Sequence, residues 1–174
     1  NRENFKEAMA ARLRGEEVKM ETTIYSVKGG PRHLVYHPPL LAVGIGCERG
    51  TDPAEVNQLL NDTLAKHNLA RASIRQFGSI DLKEDEPAIN QFWVSYFSAE
   101  ELNSQKHRIE TPSAIVEAEV GSPSVAEAAA LALVGPTGKL IVPKTKSKRA
   151  TLAIALAENQ EAIEANLGKM RGKV

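Results

Sequence analysis

Apolar and polar positions along the chain divide it into short strands and helices that alternate. Residues 40–46, Leu-Leu-Ala-Val-Gly-Ile-Gly, form a nearly continuous apolar run of strand length, and the pattern then breaks at Cys47-Glu48-Arg49-Gly50. Thr51 or Asp52 is placed to cap a helix over residues 53–67, with Pro53 and Glu55 in its first turn. Residues 73–80 predict a second strand, so the order is βαβ. Ahead of this, residues 3–14 predict a helix with an apolar stripe of Phe5, Ala8, Met9 and Leu13, stopped by Gly15. Residues 20–27 alternate as a strand, residues 33–36 are extended, and His37-Pro38-Pro39 enforces a non-helical joint that sets a domain boundary near Pro38.

Downstream, residues 92–97 predict a short aromatic strand and residues 99–105 a helix capped by Ser98. Thr111-Pro112-Ser113 opens a helix over 114–120, and Ser122-Pro123-Ser124 opens an alanine-rich one over 125–134. Strands at 139–142 and 150–157 flank a basic loop, Lys144 to Arg149. The expected architecture is an α/β layered domain over residues 38–157, with a mixed, mostly parallel sheet flanked by helices. Residues 1–37 are a preceding piece, and residues 158–174 form a polar helical tether.

Composition narrows this. With 174 residues, 42% of them apolar and 5% aromatic, the chain fills one core and not two. Lys plus Arg and Asp plus Glu number 22 each, so no overall field favours nucleic acid or an anionic membrane, and neither is expected as a partner. Cys47 is the sole cysteine, which excludes an internal disulfide and suits a reducing compartment, the cytoplasm. No apolar run approaches the length of a membrane span, and the opening Asn1-Arg2-Glu3-Asn4 reads as the interior of something longer.

Several places could carry chemistry. The free N–H groups of the turn over residues 44–51, with Arg49 beside them, suit a carboxylate or phosphate, although a glycine turn between strand and helix also serves as plain architecture. Cys47 is either a nucleophile near a helix N-terminus or a small residue in a tight turn, and no base lies near it in sequence. Asp81 and Glu86 stand in an acidic stretch that directly follows a strand, where they would either do acid–base work or be solvated. Lys144, Lys146, Lys148 and Arg149 make a solvated turn or a wall for a polycarboxylate. Glu127, the single charge of the alanine helix, is expected at its wet position, the other reading being a carboxylate that holds a partner or a neighbouring loop. The four histidines have no metal-ligand spacing, so no metal site is expected.

Four separated strings then agree on one family. Val-Gly-Ile-Gly-Cys-Glu-Arg-Gly-Thr over 43–51, Ser-Ile-Asp-Leu-Lys-Glu-Asp-Glu over 79–86, Ser-Ala-Glu-Glu-Leu over 98–102 and Gly-Ser-Pro-Ser-Val-Ala-Glu-Ala-Ala-Ala-Leu over 121–131 occur in this order. In order and spacing the chain resembles the CobE family and the C-terminal domain of CbiG, the cobalt-precorrin-5A hydrolase of cobalamin biosynthesis. Leu-Ile-Val-Pro-Lys over 140–144 and Ala-Thr-Leu-Ala-Ile-Ala over 150–155 continue the likeness. The resemblance implies a role in building the corrin ring, where the full hydrolase opens a δ-lactone on a cobalt-bearing, carboxylate-rich tetrapyrrole and expels acetaldehyde.

On that reading the substrate-binding set is Gly44, Gly46, Cys47, Arg49, Gly50, Thr51, Lys83, Ser124, Glu127 and Lys144. Asp81 and Glu86 are the acid–base candidates and Arg49 the anion stabiliser. The protein itself would hold no cofactor. Residues 4–18 resemble the end of the region that precedes this domain in the hydrolase, whose earlier part is absent, and Arg171-Gly172-Lys173-Val174 resembles the approach to a precorrin methyltransferase, which would be a fused or docked partner. Between Glu86 and Ser98 the chain is shorter than the family pattern, leaving little room for the helix expected after Pro87. Phe92, Trp93, Tyr96 and Phe97 crowd that gap, so the domain is alternatively an interaction module that docks a precorrin-modifying enzyme through these aromatics.

Overall fold

The helix and strands predicted ahead of Pro38 are present and make a two-stranded sheet separate from the main one. The computed structural model describes residues 2–113 and 124–164. Here α1 (Arg2–Leu13) packs on a two-stranded parallel pair, β1 (Lys19–Thr22) and β2 (His33–Tyr36), in which Lys19 lies opposite His33 and Thr22 opposite Tyr36. β1 is shorter than the strand expected over 20–27, because after Thr22 the chain leaves β2 and bonds to the main domain. Ser26 N–H donates to Asn68 O and Ala70 N–H to Ile24 O. The predicted stripe of α1 is split. Ala8 and Ala11 are buried, since their small side chains permit close approach, whereas Phe5, Met9 and Leu13 stay exposed.

The main domain comprises β3 (Leu41–Cys47), α2 (Pro53–Lys66), β4 (Ile74–Ile80), α3 (Pro87–Asn90), β5 (Val94–Phe97), α4 (Ala99–Asn103), α5 (Val125–Val134), β6 (Lys139–Lys146), β7 (Ala150–Leu156) and α6 (Gln160–Glu164). The sheet order is β5-β4-β3-β7-β6; β3, β4 and β5 pair parallel, while β7 runs antiparallel to both β3 and β6. This is the mixed, mostly parallel sheet of an α/β fold, with β7 alone reversed.

Side-chain alternation along β3 builds two unlike faces. Leu41, Val43 and Ile45 join Leu152 and Ile154 against Val56, Leu60 and Ile89 of α2 and α3. Each fully buried Leu or Ile in this layer contributes roughly 2 kcal/mol. The opposite face presents Ala42, Gly44 and Ala155 to α5, whose alanines allow a close helix–sheet contact. Asp52 caps α2, its carboxylate accepting from Ala54 N–H at 2.9 Å, and Ser98 with Glu101 forms a reciprocal capping box on α4.

Three further expectations change. The helix after Pro87 is present, compressed into the single turn of α3. The strand expected over 139–142 runs on to Lys146, so the basic loop shrinks to a tight connection at residues 147–149. Phe92 stacks on Phe77 with ring centroids 4.6 Å apart and Phe97 is buried, leaving Trp93 as the exposed member of the aromatic group. The helix expected over 114–120 and the tether beyond residue 164 lie outside the described residues.

Candidate functional site

The carboxyl ends of β3, β4 and β6 meet the first residues of β7 at one edge of the sheet. Reversal of β7 brings its start to this edge, which is where open α/β sheets place their ligands. A cleft of about 570 Å³ opens there. Cys47, Ile80, Val125 and Ala150 give it an apolar floor, and Arg49, Lys83, Lys146, Lys148 and Arg149 line it with five cations against the single carboxylate of Glu48. Lys83, Lys146 and Lys148 make no side-chain hydrogen bond or close ion pair with another described residue.

The walls of the cleft hold each other. Gly50 adopts φ +71°, which turns the chain from β3 toward α2. Arg149 grips that turn: Nε donates to Glu48 Oε2 at 3.0 Å, one Nη to Gly50 O at 3.0 Å and the other to Arg49 O at 2.6 Å. In return Glu48 N–H donates to Arg149 O at 2.9 Å. The hairpin tip is fixed from below by Glu55, whose Oε1 accepts from Ser147 Oγ at 2.5 Å and Arg149 N–H at 2.7 Å. The Ser147 hydroxyl and the Arg149 N–H hold the Glu55 carboxyl below its ordinary range.

These bonds revise the expected anion cradle. Gly50 N–H donates to Glu86 Oε2 at 3.2 Å and Glu48 N–H is taken by Arg149, so two of the turn's donors are already used inside the protein. Thr51 is buried, its hydroxyl donating to Glu48 O at 2.7 Å. Arg49 bonds Asp85 at 2.8 Å and Leu82 O at 2.7 Å, and the Asp85 hydrogen bond holds its guanidinium above the ordinary value.

The remaining candidates separate. Gly44 faces α5: a Cβ there would stand 1.7 Å from Ala126 O, so this glycine serves helix–sheet packing. A Cβ on Gly46 would meet Thr151 Oγ1 at 2.8 Å beside the cleft. Burial, and next the charge of Glu86, push the Cys47 thiol up, opposite to what an activated nucleophile needs. Neither Asp81 nor Glu86 is part of the lining; Asp81 is exposed, whereas Glu86 is buried with Oε1 lacking a hydrogen-bond partner. Ser124, also buried, likewise has an unpartnered hydroxyl.

Glu127 corrects the solvated reading outright, being fully buried. Its carboxylate accepts from Glu110 N–H at 2.9 Å, Thr111 N–H at 3.0 Å, Lys144 N–H at 2.8 Å and the Thr111 hydroxyl, so it does hold a neighbouring loop. Burial pushes this carboxyl up, but those four donors outweigh it and hold it below the ordinary value. Lys144 completes the latch, Nζ donating to Thr111 O at 2.8 Å, and does not line the cleft. Sequence reasoning missed Glu55, and of the basic loop it put only Lys144 in the binding set, whereas Lys146 and Lys148 line the cleft. Recognising that strand β6 continues past Val142 would have shown which cations reach its end.

The family model described as Cobalamin synthesis G C-terminus matches residues 41–155. The chain belongs to this family. As a Cobalamin synthesis G C-terminus protein it takes part in cobalamin biosynthesis. It is 35% identical over 129 residues to the cobalt-precorrin-5A hydrolase of Priestia megaterium, a match covering 71% of this chain and 34% of that enzyme. The chain thus spans about a third of the hydrolase it matches. The crystal structure of CobE, a protein from the cobalamin pathway, aligns with a TM-score of 0.64 at 37% identity, over 69% of this chain and 92% of CobE. A cobalamin biosynthesis protein G homologue of Sulfolobus solfataricus shares the fold, with a TM-score of 0.53 at 23% identity over 91% of this chain and 56% of its own. No helix among the described residues is long and apolar enough to cross a membrane.

Proposed function

We propose that this Cobalamin synthesis G C-terminus domain acts in the cytoplasm by binding a cobalt-precorrin through the cleft at the ends of β3, β4 and β6. The observation that carries this is the placing of Lys83, Lys146 and Lys148, without ion-pair partners among the described residues, around an apolar floor. A tetrapyrrole with acetate and propionate arms matches both halves of that surface: its apolar edge meets Ile80 and Val125 while its carboxylates meet the lysines. Arg149 and Arg49, already engaged, hold the walls in place and add to the positive field.

In the full-length protein the same corner would contribute to lactone opening. Glu86, rather than exposed Asp81, is the acid–base candidate, because its buried Oε1 has no hydrogen-bond partner and its charge acts on Cys47 at the cleft floor. The test is an anaerobic absorbance titration with cobalt-precorrin-5A at low and raised salt, with product analysis for acetaldehyde. A saturable shift that weakens with salt is expected, and replacing Lys83, Lys146 and Lys148 together by alanine should weaken it roughly tenfold or more. In the full-length protein Glu86→Gln should retain the shift and lose acetaldehyde release. No shift at either salt overturns the proposal.

One observation favours a second reading, a module that docks a precorrin-modifying enzyme such as a methyltransferase. Trp93, at 75% exposure, is the kind of large side chain that anchors an interface. Under that reading Trp93→Ala abolishes capture of the enzyme while the lysine variants keep it.

A further inference from the structure

The starts of α4 and α5 carry the same capping motif, Ser-x-x-Glu, and use it differently. On α4, Ser98 and Glu101 close the reciprocal box. On α5, Ser124 and Glu127 stand at the same spacing and leave it open. The Glu127 carboxylate is spent on Glu110, Thr111 and Lys144, and the Ser124 hydroxyl accepts from no N–H of its helix. That hydroxyl is 1% exposed and has no hydrogen-bond partner. No described residue accepts from the N–H groups of Val125, Ala126 or Glu127, the donors that an α-helix leaves unbonded in its first turn.

This open end faces the ligand cleft. A Cβ on Gly44 would meet backbone atoms of Ala126 and Ala130, whereas one on Gly46 would lie 3.7 Å from Val125 Cβ. Contacts therefore move back to the first residue of α5 as β3 runs toward its carboxyl end, so strand and helix point in opposite directions. Val125 lines the cleft together with Lys83 and Lys146. The positive end of the α5 dipole adds to the field of those lysines, and its N–H groups are fixed neutral donors where the lysines are mobile charges. A buried hydroxyl with no partner is costly, and a ligand oxygen removes that cost.

We infer that the first turn of α5 is a carboxylate subsite, in which a ligand carboxylate accepts hydrogen bonds from the Ser124 hydroxyl and from the first N–H groups of the helix. On the tetrapyrrole reading of the cleft, on which the ligand's identity rests, that carboxylate is one acetate or propionate arm. The lysines then draw the ligand in by charge, and α5 fixes where one arm sits.

The test uses the full chain, labelled with 15N and titrated with sodium acetate against sodium chloride at equal ionic strength. Acetate should move the amide resonances of residues 125–127 saturably, and Ser124→Ala should remove the effect. In the absorbance titration with cobalt-precorrin-5A, Ser124→Ala should weaken binding roughly tenfold with its salt dependence as steep as before, whereas the triple lysine variant flattens that dependence. Without ligand, the Tm of Ser124→Ala should equal or exceed that of the native chain, because the hydroxyl has no bond to lose. A lowered Tm with the acetate response retained makes Ser124 a structural residue and overturns the inference. An acetate response at residues 125–127 without cobalt-precorrin binding upholds the carboxylate subsite and overturns the tetrapyrrole reading. Unmoved amides in acetate, with cobalt-precorrin-5A bound equally by the native and Ser124→Ala chains, overturn the subsite and leave the reading of the cleft standing.

Discussion

Single residues carry two different kinds of constraint here. Gly44 is demanded by space alone, because α5 lies so close to β3 that a methyl group would overlap Ala126 O. Gly44→Ala should therefore destabilise the fold by about 3 kcal/mol, read from urea denaturation, with the cleft affected only through stability. Glu127 is demanded by hydrogen bonding, four donors converging on a carboxylate with no exposure. Glu127→Ala strands three backbone N–H groups and should cost about 3 kcal/mol or more. Its pKa is lowered in the folded state, so its stabilisation is complete above the ordinary glutamate value of 4.5 and is lost as pH falls through the lower folded value. Stability measured by chemical denaturation should decline in that acid range for the native chain, and Glu127→Gln should flatten the decline.

At the scale of elements, the cleft depends on how β6 ends. The ladder between β6 and β7 slips between Val142 and Thr145, and within that irregularity Lys144 N–H bonds Glu127 in place of a strand partner. Beyond the slip the strand recovers its pairing with β7 and delivers Lys146 to the cleft, and the tip that follows is clamped to the β3–α2 turn by Arg149. Arg149→Ala removes three side-chain bonds from a partly exposed guanidinium, so a loss of about 1 kcal/mol in stability is expected. Its effect on the cobalt-precorrin titration should be larger than that stability loss implies, because turn and tip lose their common support. Arg149→Lys, which cannot reproduce the fork, should rescue little of it.

At the scale of the molecule, the two sheets are separate, and the five-stranded one owns both apolar layers. A chain beginning at Pro38 should keep cooperative unfolding and a saturable cleft, with a lower Tm because Ile24 no longer packs on the core. Circular dichroism melts of the two lengths check this. Salt dependence also belongs to this scale: with equal numbers of acidic and basic residues the molecule has no net field, so any salt-sensitive binding of anions reports the local cluster at the cleft.

The sequence by itself determined the βαβ start, the alanine helix and the family, because period, capping residues and ordered motifs are local properties of the chain. Helix starts at Pro53, Ala99 and Val125 were legible to the residue for the same reason. Tertiary structure alone decided the rest. Nothing local tells a lone glutamate in an alanine helix that its face is buried, since the donors that stabilise Glu127 come from residues 16 and 17 positions away on either side. The cleft lining was hidden for a related reason. The partners that occupy the turn's N–H groups, Glu86 and Arg149, and the strand pairings that bring Lys83 from the end of β4 and Lys146 and Lys148 from the end of β6 to one edge, are long-range and encoded by no spacing along the chain.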